Sequence, residues 1–317
     1  MNPGNMTVSY APHIHDRATT SRIMLDVVIA LCPAFIVSVV VFGPRAAFIT
    51  GVCVATCVLS EWVFEKALKR TITIQDFSAV ITGMLLAFNL PVTIPVWQAI
   101  FGSFVAIILV KQLFGGLGKN FANPAITARI IMFLAFPLTM TTWVVPELAA
   151  FKWAGVDTLT GATPLMYLSR GDAESLPGIR DLFLGVHGGC LGETSELALL
   201  LGGVYLLIRR VITWHAPVAL IVTVFALTAI TGSHPVYQLF SGGLFLGAIF
   251  MVTDYVTTPL TKSGRVIFGL GAGLLTFVMR VYGSYPEGVS FAILLMNMIV
   301  PYLNKLTAHK ALGGKQS

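Results

Sequence analysis

Residues 211–253 read VITWHAPVALIVTVFALTAITGSHPVYQLFSGGLFLGAIFMVT, 43 residues without an Asp, Glu, Lys or Arg. A helix needs roughly 20 mostly apolar residues to cross a bilayer, so this stretch holds two crossings. Thr231-Gly-Ser-His-Pro235 separates them, because proline lacks a backbone donor and clashes with the preceding turn. A second uncharged stretch, 77–110, is also long enough for two crossings and breaks at Asn89-Leu-Pro-Val-Thr-Ile-Pro95. Shorter gaps at 27–44, 46–60, 130–146, 197–208, 266–279 and 288–304 give one crossing each. The gap at 197–208 is short and borrows Glu196 and Arg209 at its ends, their charged tips reaching the interface. The sequence therefore predicts an all-α polytopic membrane protein of ten helices. They centre near residues 34, 54, 84, 105, 137, 203, 223, 247, 273 and 296, and include two Pro-broken pairs.

Composition agrees. The chain has 317 residues, 56% hydrophobic and 11% charged, against about 25% charged in soluble domains. That excludes a soluble enzyme, a nucleic-acid binder and a disordered protein. Lys and Arg set the orientation. With ten crossings both termini lie on one side, and that side receives 15 of the 20 basic residues. The other side receives Arg45, Lys152, Arg170, Arg180 and Arg280. Both termini are thus expected in the cytoplasm. The first apolar run is as long as a full span and follows a mixed polar segment, unlike a cleavable signal peptide. The expected organisation is a tail at 1–23, a five-helix half at 24–145, an external loop at 146–195, a second five-helix half at 196–304, and a tail at 305–317.

The external loop stands apart at 50 residues, with six acidic and three basic groups. Loops of that length generally carry function. It contains Asp157-Thr-Leu-Thr-Gly-Ala-Thr163-Pro-Leu165. Read locally, Thr163 caps a short helix that has Pro164 at its first position. An internal echo is also present: Pro95-Val-Trp-Gln98 recurs as Pro235-Val-Tyr-Gln238, each copy after a break. Broken segments in two halves of a membrane protein point to a buried site between them.

Ionisable groups inside a bilayer are costly and are functional candidates by default. Asp254 closes the longest uncharged stretch, with Thr253, Thr257 and Thr258 around it. Carboxylate and hydroxyl oxygens suit a hard cation, so Asp254 is a candidate for an ion path. The alternative is a helix end paired with Lys262 or Arg265. Glu61 reads as interfacial, with Glu65, Lys66 and Lys69 close by. Gly115, Gly116 and Gly118 read as a tight turn after a helix. Cys53 and Cys57 share one helix face and read as packing residues, and Cys190 stands alone in the loop. The six His residues show no metal spacing.

Three motifs carry a family resemblance. Asp157-x-x-Thr-Gly-Ala-Thr163 resembles the flavinylation motif of the Rnf and Na+-pumping NADH:quinone reductase complexes. Phe114-Gly-Gly-Leu-Gly-Lys-Asn-Phe-Ala-Asn-Pro-Ala125 is similar to the segment after the fourth helix of their membrane subunits. Phe250-Met-Val-Thr-Asp-Tyr-Val-Thr-Thr-Pro259 is similar to the segment ending the eighth. The short N-terminus and the Thr-Pro-Leu of the motif look more like the RnfD branch of this family than the NqrB branch of the quinone reductases. The resemblance implies a flavin-carrying subunit of a ferredoxin:NAD+ oxidoreductase that moves Na+ or H+ across a bacterial inner membrane. It implies FMN esterified to Thr163 by a flavin transferase, and a second, non-covalent riboflavin within the bundle, for which the breaks near Pro91 and Pro235 are the expected place. It also implies the A, B, C, E and G components of Rnf as partners. The chain has no nucleotide fingerprint and no cluster-binding Cys set. NAD and ferredoxin chemistry would therefore sit on those partners. An NqrB-type component of a quinone reductase and a small-solute channel remain as alternatives.

Overall fold

The computed structural model describes residues 19–144, 161–172, 176–185, 187–283 and 287–308. Among these there is no β-strand. Four long apolar helices have the length of membrane spans: α1 (Thr20–Phe42), α2 (Pro44–Ala67), α13 (Lys262–Val281) and α14 (Val289–Thr307). The other expected crossings are shorter or interrupted. They are α3 (Ser78–Phe88), α4 (Val96–Phe104) running on as a π-helical stretch Val105–Gln112, and α5 (Pro124–Ala135) followed by α6 (Pro137–Met140). After two loop helices, α7 (Pro164–Arg170) and α8 (Ile179–Leu184), come α9 (Glu196–Ile208), α10 (His215–Ile230) and α11 (Pro235–Leu239). A short α12 (Leu244–Leu246) then runs into a π stretch, Gly247–Met251. Nine of the ten predicted centres fall on or beside apolar helices of ten residues or more, and the one near 247 falls on the short α12 and its π stretch.

Hydrogen bonds sort the segment ends onto two faces. On the face where α1 begins and α14 ends, Arg209 at the end of α9 pairs with Asp26 of α1 at 3.1 Å. On the same face Arg70, after α2, donates to Gln112 O at 3.2 Å, and Thr261 meets Thr307 at 2.5 Å. On the opposite face Arg45, at the start of α2, donates to Val92 O at 2.8 Å, and Thr93 donates to Thr142 O. Each end falls on the face that alternating crossings demand.

The packing divides into two sets of five segments with matching partners. α2 packs on α3 and α4, and α10 packs on the α12 π stretch and α13. α1 meets α3 as α9 meets α12, and α5 meets α4 as α14 meets α13. The contacts that join the sets, α1 with α9 and α5 with α14, pair equivalent members. Because each set has an odd number of crossings, the second set is inverted. The echo at Pro95 and Pro235 is a local likeness: each proline stands at the start of a helix, but α4 runs on into its π stretch whereas α11 ends at Leu239, before α12 and the second π stretch. The packing, however, matches α3 with α12, not α4 with α12.

α3 and α12 are the broken elements. At 1.5 Å per residue, the 11 residues of α3 span only ~16 Å of a ~30 Å hydrocarbon layer. Non-helical backbone at that depth must be satisfied by protein, since no water is there to do it. The segment 187–195 does this for α3. Gly192 N donates to Phe88 O and Leu191 N donates to Leu90 O, each at 3.0 Å. Gly192 lies so close that a Cβ there would fall 2.1 Å from Phe88 Cγ. Asn89 closes the helix end by donating to Leu85 O at 2.6 Å. At the other break, Thr258 donates to Val252 O and Thr253 to Ile249 O.

The opposite ends of the two broken helices each receive a buried cation. Lys111, on the π stretch after α4, donates to Ser78 Oγ at the start of α3 (2.7 Å) and pairs with Glu61 Oε1 at 2.7 Å. Arg280 of α13 donates to Gln238 O and Ser241 O, just ahead of α12. Glu61 is therefore not interfacial. It is fully buried, accepts from Gln112 as well as Lys111, and pairs across helices rather than with Lys66 or Lys69.

A buried pair is destabilised most by removing one partner, because the other charge is left uncompensated. Lys111→Met is expected to cost about 3–5 kcal/mol and to lower the melting temperature in detergent. The double variant Glu61→Gln/Lys111→Met should recover most of that loss. Equal melting of the single and double variants would show that the pair does not hold α3 in place.

Candidate functional site

Thr163 behaves locally as its sequence context dictates. It adopts an extended backbone conformation, and its Oγ1 accepts from Met166 N at 3.3 Å, with Pro164 opening α7. The side chain is buried, at 5% exposure. It does not point into a packed core. Thr163 and Met166 form part of the lining of a cavity of about 230 Å3, together with Trp143, Phe133, Phe291, Arg129 and Glu287. Phe133 and Phe291 meet edge to face at 6.1 Å between ring centres. Asp157 and Thr160 of the motif lie outside the described residues.

Arg129 is the polar centre of this cavity. It sits in the second turn of α5, a helix capped by Asn123 with Pro124 at its first position. Its Nη1 donates to Asn89 Oδ1 at 2.9 Å and to Ser290 Oγ at 2.8 Å. Its Nη2 pairs with Glu287 Oε2 at 2.5 Å and reaches Cys190 Sγ at 3.6 Å. Arg129 thereby ties the broken end of α3, the 187–195 segment and the start of α14 to one point. The sequence groups it with the basic residues of the terminal face. It lies instead inside the protein, with partners from the opposite face. Glu193 backs the cluster; its Oε1 accepts from Cys190 N at 3.2 Å. Cys190 is fully buried, so it is not placed to bond to another subunit.

The donor set fits a flavin. A flavin ring needs flat apolar walls and a few convergent polar groups, and such sites are generally concave and mostly apolar. Trp143, Phe133 and Phe291 supply walls, and the Arg129–Glu287 pair supplies polarity. They share the lining of the cavity with Thr163, the threonine of the motif that lies among the described residues.

A second cavity, of about 100 Å3, opens toward the face of the termini. Ser78, Lys111, Asn120, Asn123 and Asp254 are among its lining residues. Asp254 accepts from Thr257 Oγ1 at 3.0 Å and from Val256 N at 3.5 Å. Among the described residues no Lys or Arg pairs with it. Arg265 turns instead to Pro259 O and Thr213 Oγ1. The expected alternative, an ion pair with Lys262 or Arg265, is therefore absent. Gly115, Gly116 and Gly118 form the expected turn near this cavity, at φ of 112°, 90° and 87°, a region that favours glycine. Cys53 and Cys57 are fully buried packing residues, as expected. Pro91 and Pro235 line neither cavity.

Arg129, Glu287 and Lys111 escape a reading of the sequence. A signal exists for the first: an arginine one turn into an apolar helix that opens with Asn-Pro is a buried-charge candidate on its own. Glu287 gives none, since it reads as an ordinary loop carboxylate.

The sequence matches known proteins along almost its whole length. Residues 7–313 match the model of the NQR2, RnfD, RnfE family. The chain is 45% identical, over 99% of its length and 97% of the relative's, to the D component of the Na+-translocating ferredoxin:NAD+ oxidoreductase complex of Acetobacterium woodii. It is 42% identical, over 95% of its length and 94% of the relative's, to the D component of the proton-translocating ferredoxin:NAD+ oxidoreductase complex of Clostridium ljungdahlii. It is 40% identical, over 94% and 93%, to the D component of the ion-translocating oxidoreductase complex of Stutzerimonas stutzeri. The chain belongs to the NQR2, RnfD, RnfE family, within its RnfD branch.

Proposed function

We propose that this chain is the RnfD membrane subunit of an ion-translocating ferredoxin:NAD+ oxidoreductase, carries FMN esterified to Thr163, and contributes an ion path through Asp254. The subunit role is supported by relatives of that name that match almost the whole chain. Their names favour this reading over an NqrB-type component of a quinone reductase. The flavin role is supported most by one observation: the Thr163 hydroxyl oxygen belongs to a residue lining a cavity with aromatic walls and a buried arginine. FMN supplies reversible electron transfer when bound. The chain's own part is to hold the ring, keep water from it, and set the charge around it. Other Rnf components carry the ferredoxin and NAD+ chemistry, and a flavin transferase modifies Thr163. The complex lies in a bacterial inner membrane with both termini of this chain in the cytoplasm, as the basic-residue asymmetry favours. A non-covalent riboflavin finds amide, ammonium and carboxylate partners in the cavity of Asn120, Asn123, Lys111 and Asp254.

Co-expression with a flavin transferase should give a chain that fluoresces as a flavin band on a denaturing gel. The peptide containing Thr163 should carry the mass of FMN less one water. Thr163→Val keeps the shape, lacks the ester oxygen, and should lose the band entirely, whereas Thr160→Val should keep it. A wild-type chain without an adduct would overturn the flavoprotein reading.

Asp254 offers its two oxygens and the Thr257 hydroxyl to a cation, with no Lys or Arg paired to it among the described residues. Removing a ligand worth ~1.4 kcal/mol changes an equilibrium about tenfold. Asp254→Asn should therefore raise the cation concentration for half-maximal coupled turnover about tenfold, with the covalent FMN on Thr163 unchanged. The A. woodii and C. ljungdahlii relatives are named for different ions, so the titration is run with Na+ and across pH. Turnover whose dependence on both stays at the wild-type level would return Asp254 to a structural role.

A further inference from the structure

We infer that the ring of the Thr163 flavin lies in the cavity beneath that residue, and that Arg129 raises its reduction potential while Glu287 offsets the effect. This rests on the covalent-flavin reading and goes further, because a tether alone leaves the ring free to sit anywhere within reach. Three observations carry it. First, Thr163 lines the cavity, so a flavin joined to its oxygen through the ribityl phosphate starts at the cavity wall. Second, the Trp143, Phe133 and Phe291 side chains line it, with Phe133 and Phe291 set edge to face. Aromatic groups prefer offset or edge contacts of this kind. Third, Arg129 lines the same space and cannot swing away. Asn89, Ser290 and Glu287 hold its two terminal nitrogens at 2.9, 2.8 and 2.5 Å.

Charge fixes the sign. One electron passes from a reductant to the ring, dithionite in the test below and a partner's redox centre in the complex. No bond of the protein forms or breaks, and the ring side of the cavity gains a negative charge. In a buried site that charge interacts strongly with its neighbours. Arg129 stabilises the added charge, and a fixed cation needs no reorganisation to do so. Glu287, bonded to the same guanidinium, cancels part of its field. Glu193 and Cys190 stand behind the arginine, and Arg280 completes the charged groups nearby.

Arg129 and Glu287 must therefore act in opposite directions, which a purely structural pair would not do. The test is a redox titration of the full-length, flavinylated chain with dithionite. The same titration of Thr163→Val is subtracted to remove any other flavin. Arg129→Gln should disfavour reduction at least tenfold, about 59 mV for one electron. Glu287→Gln should favour it by a comparable amount, and Arg129→Lys should stay near wild type. If Arg129→Gln does not fold, Glu287→Gln still decides the sign. Trp143→Leu adds a separate readout, because removing a ring that stacks on the flavin should raise the fluorescence of the native protein. The gel band separates the two levels of the claim. A missing band in wild type defeats the covalent reading itself. A normal band together with unshifted potentials, or with both glutamine variants shifting the same way, overturns the placement of the ring and leaves the covalent reading standing.

Discussion

A backbone that stops halfway through a membrane has to be satisfied by protein, and that constraint organises this molecule. α3 ends at Phe88, well short of a full crossing. Its last carbonyl, Phe88 O, accepts from Gly192, Leu90 O just beyond accepts from Leu191, and Asn89 folds back on Leu85. Asn89 then needs a donor for its own oxygen, which is Arg129. Arg129 in turn needs an acid, and Glu287 provides it. Each link is demanded by the one before, since an unpaired polar group at that depth costs several kcal/mol. The chain of partners ends at the wall of the cavity under Thr163.

The inverted arrangement explains why buried charge appears in two places. Each five-segment set contains one broken helix, and each broken helix starts beside a cation contributed by the following long segment. Lys111 serves α3, and Arg280 serves α12. A cation at a helix N-terminus opposes the helix dipole, so it has to be matched by other groups. Glu61 does this for Lys111. The two sets then diverge in use. One break is sealed by the 187–195 segment and Arg129, next to the proposed flavin site. The other remains lined with Asp254 and threonine hydroxyls, next to the proposed ion path.

Much of this was legible in the sequence, and the limits are physical. Uncharged gaps located the four long apolar helices and the shorter apolar segments because a bilayer excludes charge over a fixed length. Pro91 and Pro95 marked the break after α3 because proline acts locally, whereas Pro235 stands ahead of α12 and not at the break behind it. The Thr163 cap was readable for the same reason, since its partner Met166 is three residues away. The inverted packing was not readable, because the Pro95 and Pro235 echo suggested a different register. The partners of the buried charges were hidden too. Arg129 and Glu287 are 158 positions apart, and Lys111 meets a glutamate that looks interfacial from its neighbours. Such pairs exist only once the helices are packed. The cavity under Thr163 combines residues from α5, α7, α14 and the intervening loops, and no single stretch announces it.

An experimental density map of the intact, flavinylated complex, at a resolution that shows ring systems, is the most direct test of the ring's seat under Thr163. The expected density leaves Thr163 Oγ1 and ends in a flat ring among Trp143, Phe133 and Phe291, with the Arg129 guanidinium against it. Density that leaves Thr163 for the outer solvent, with the cavity closed by side chains, would contradict that placement.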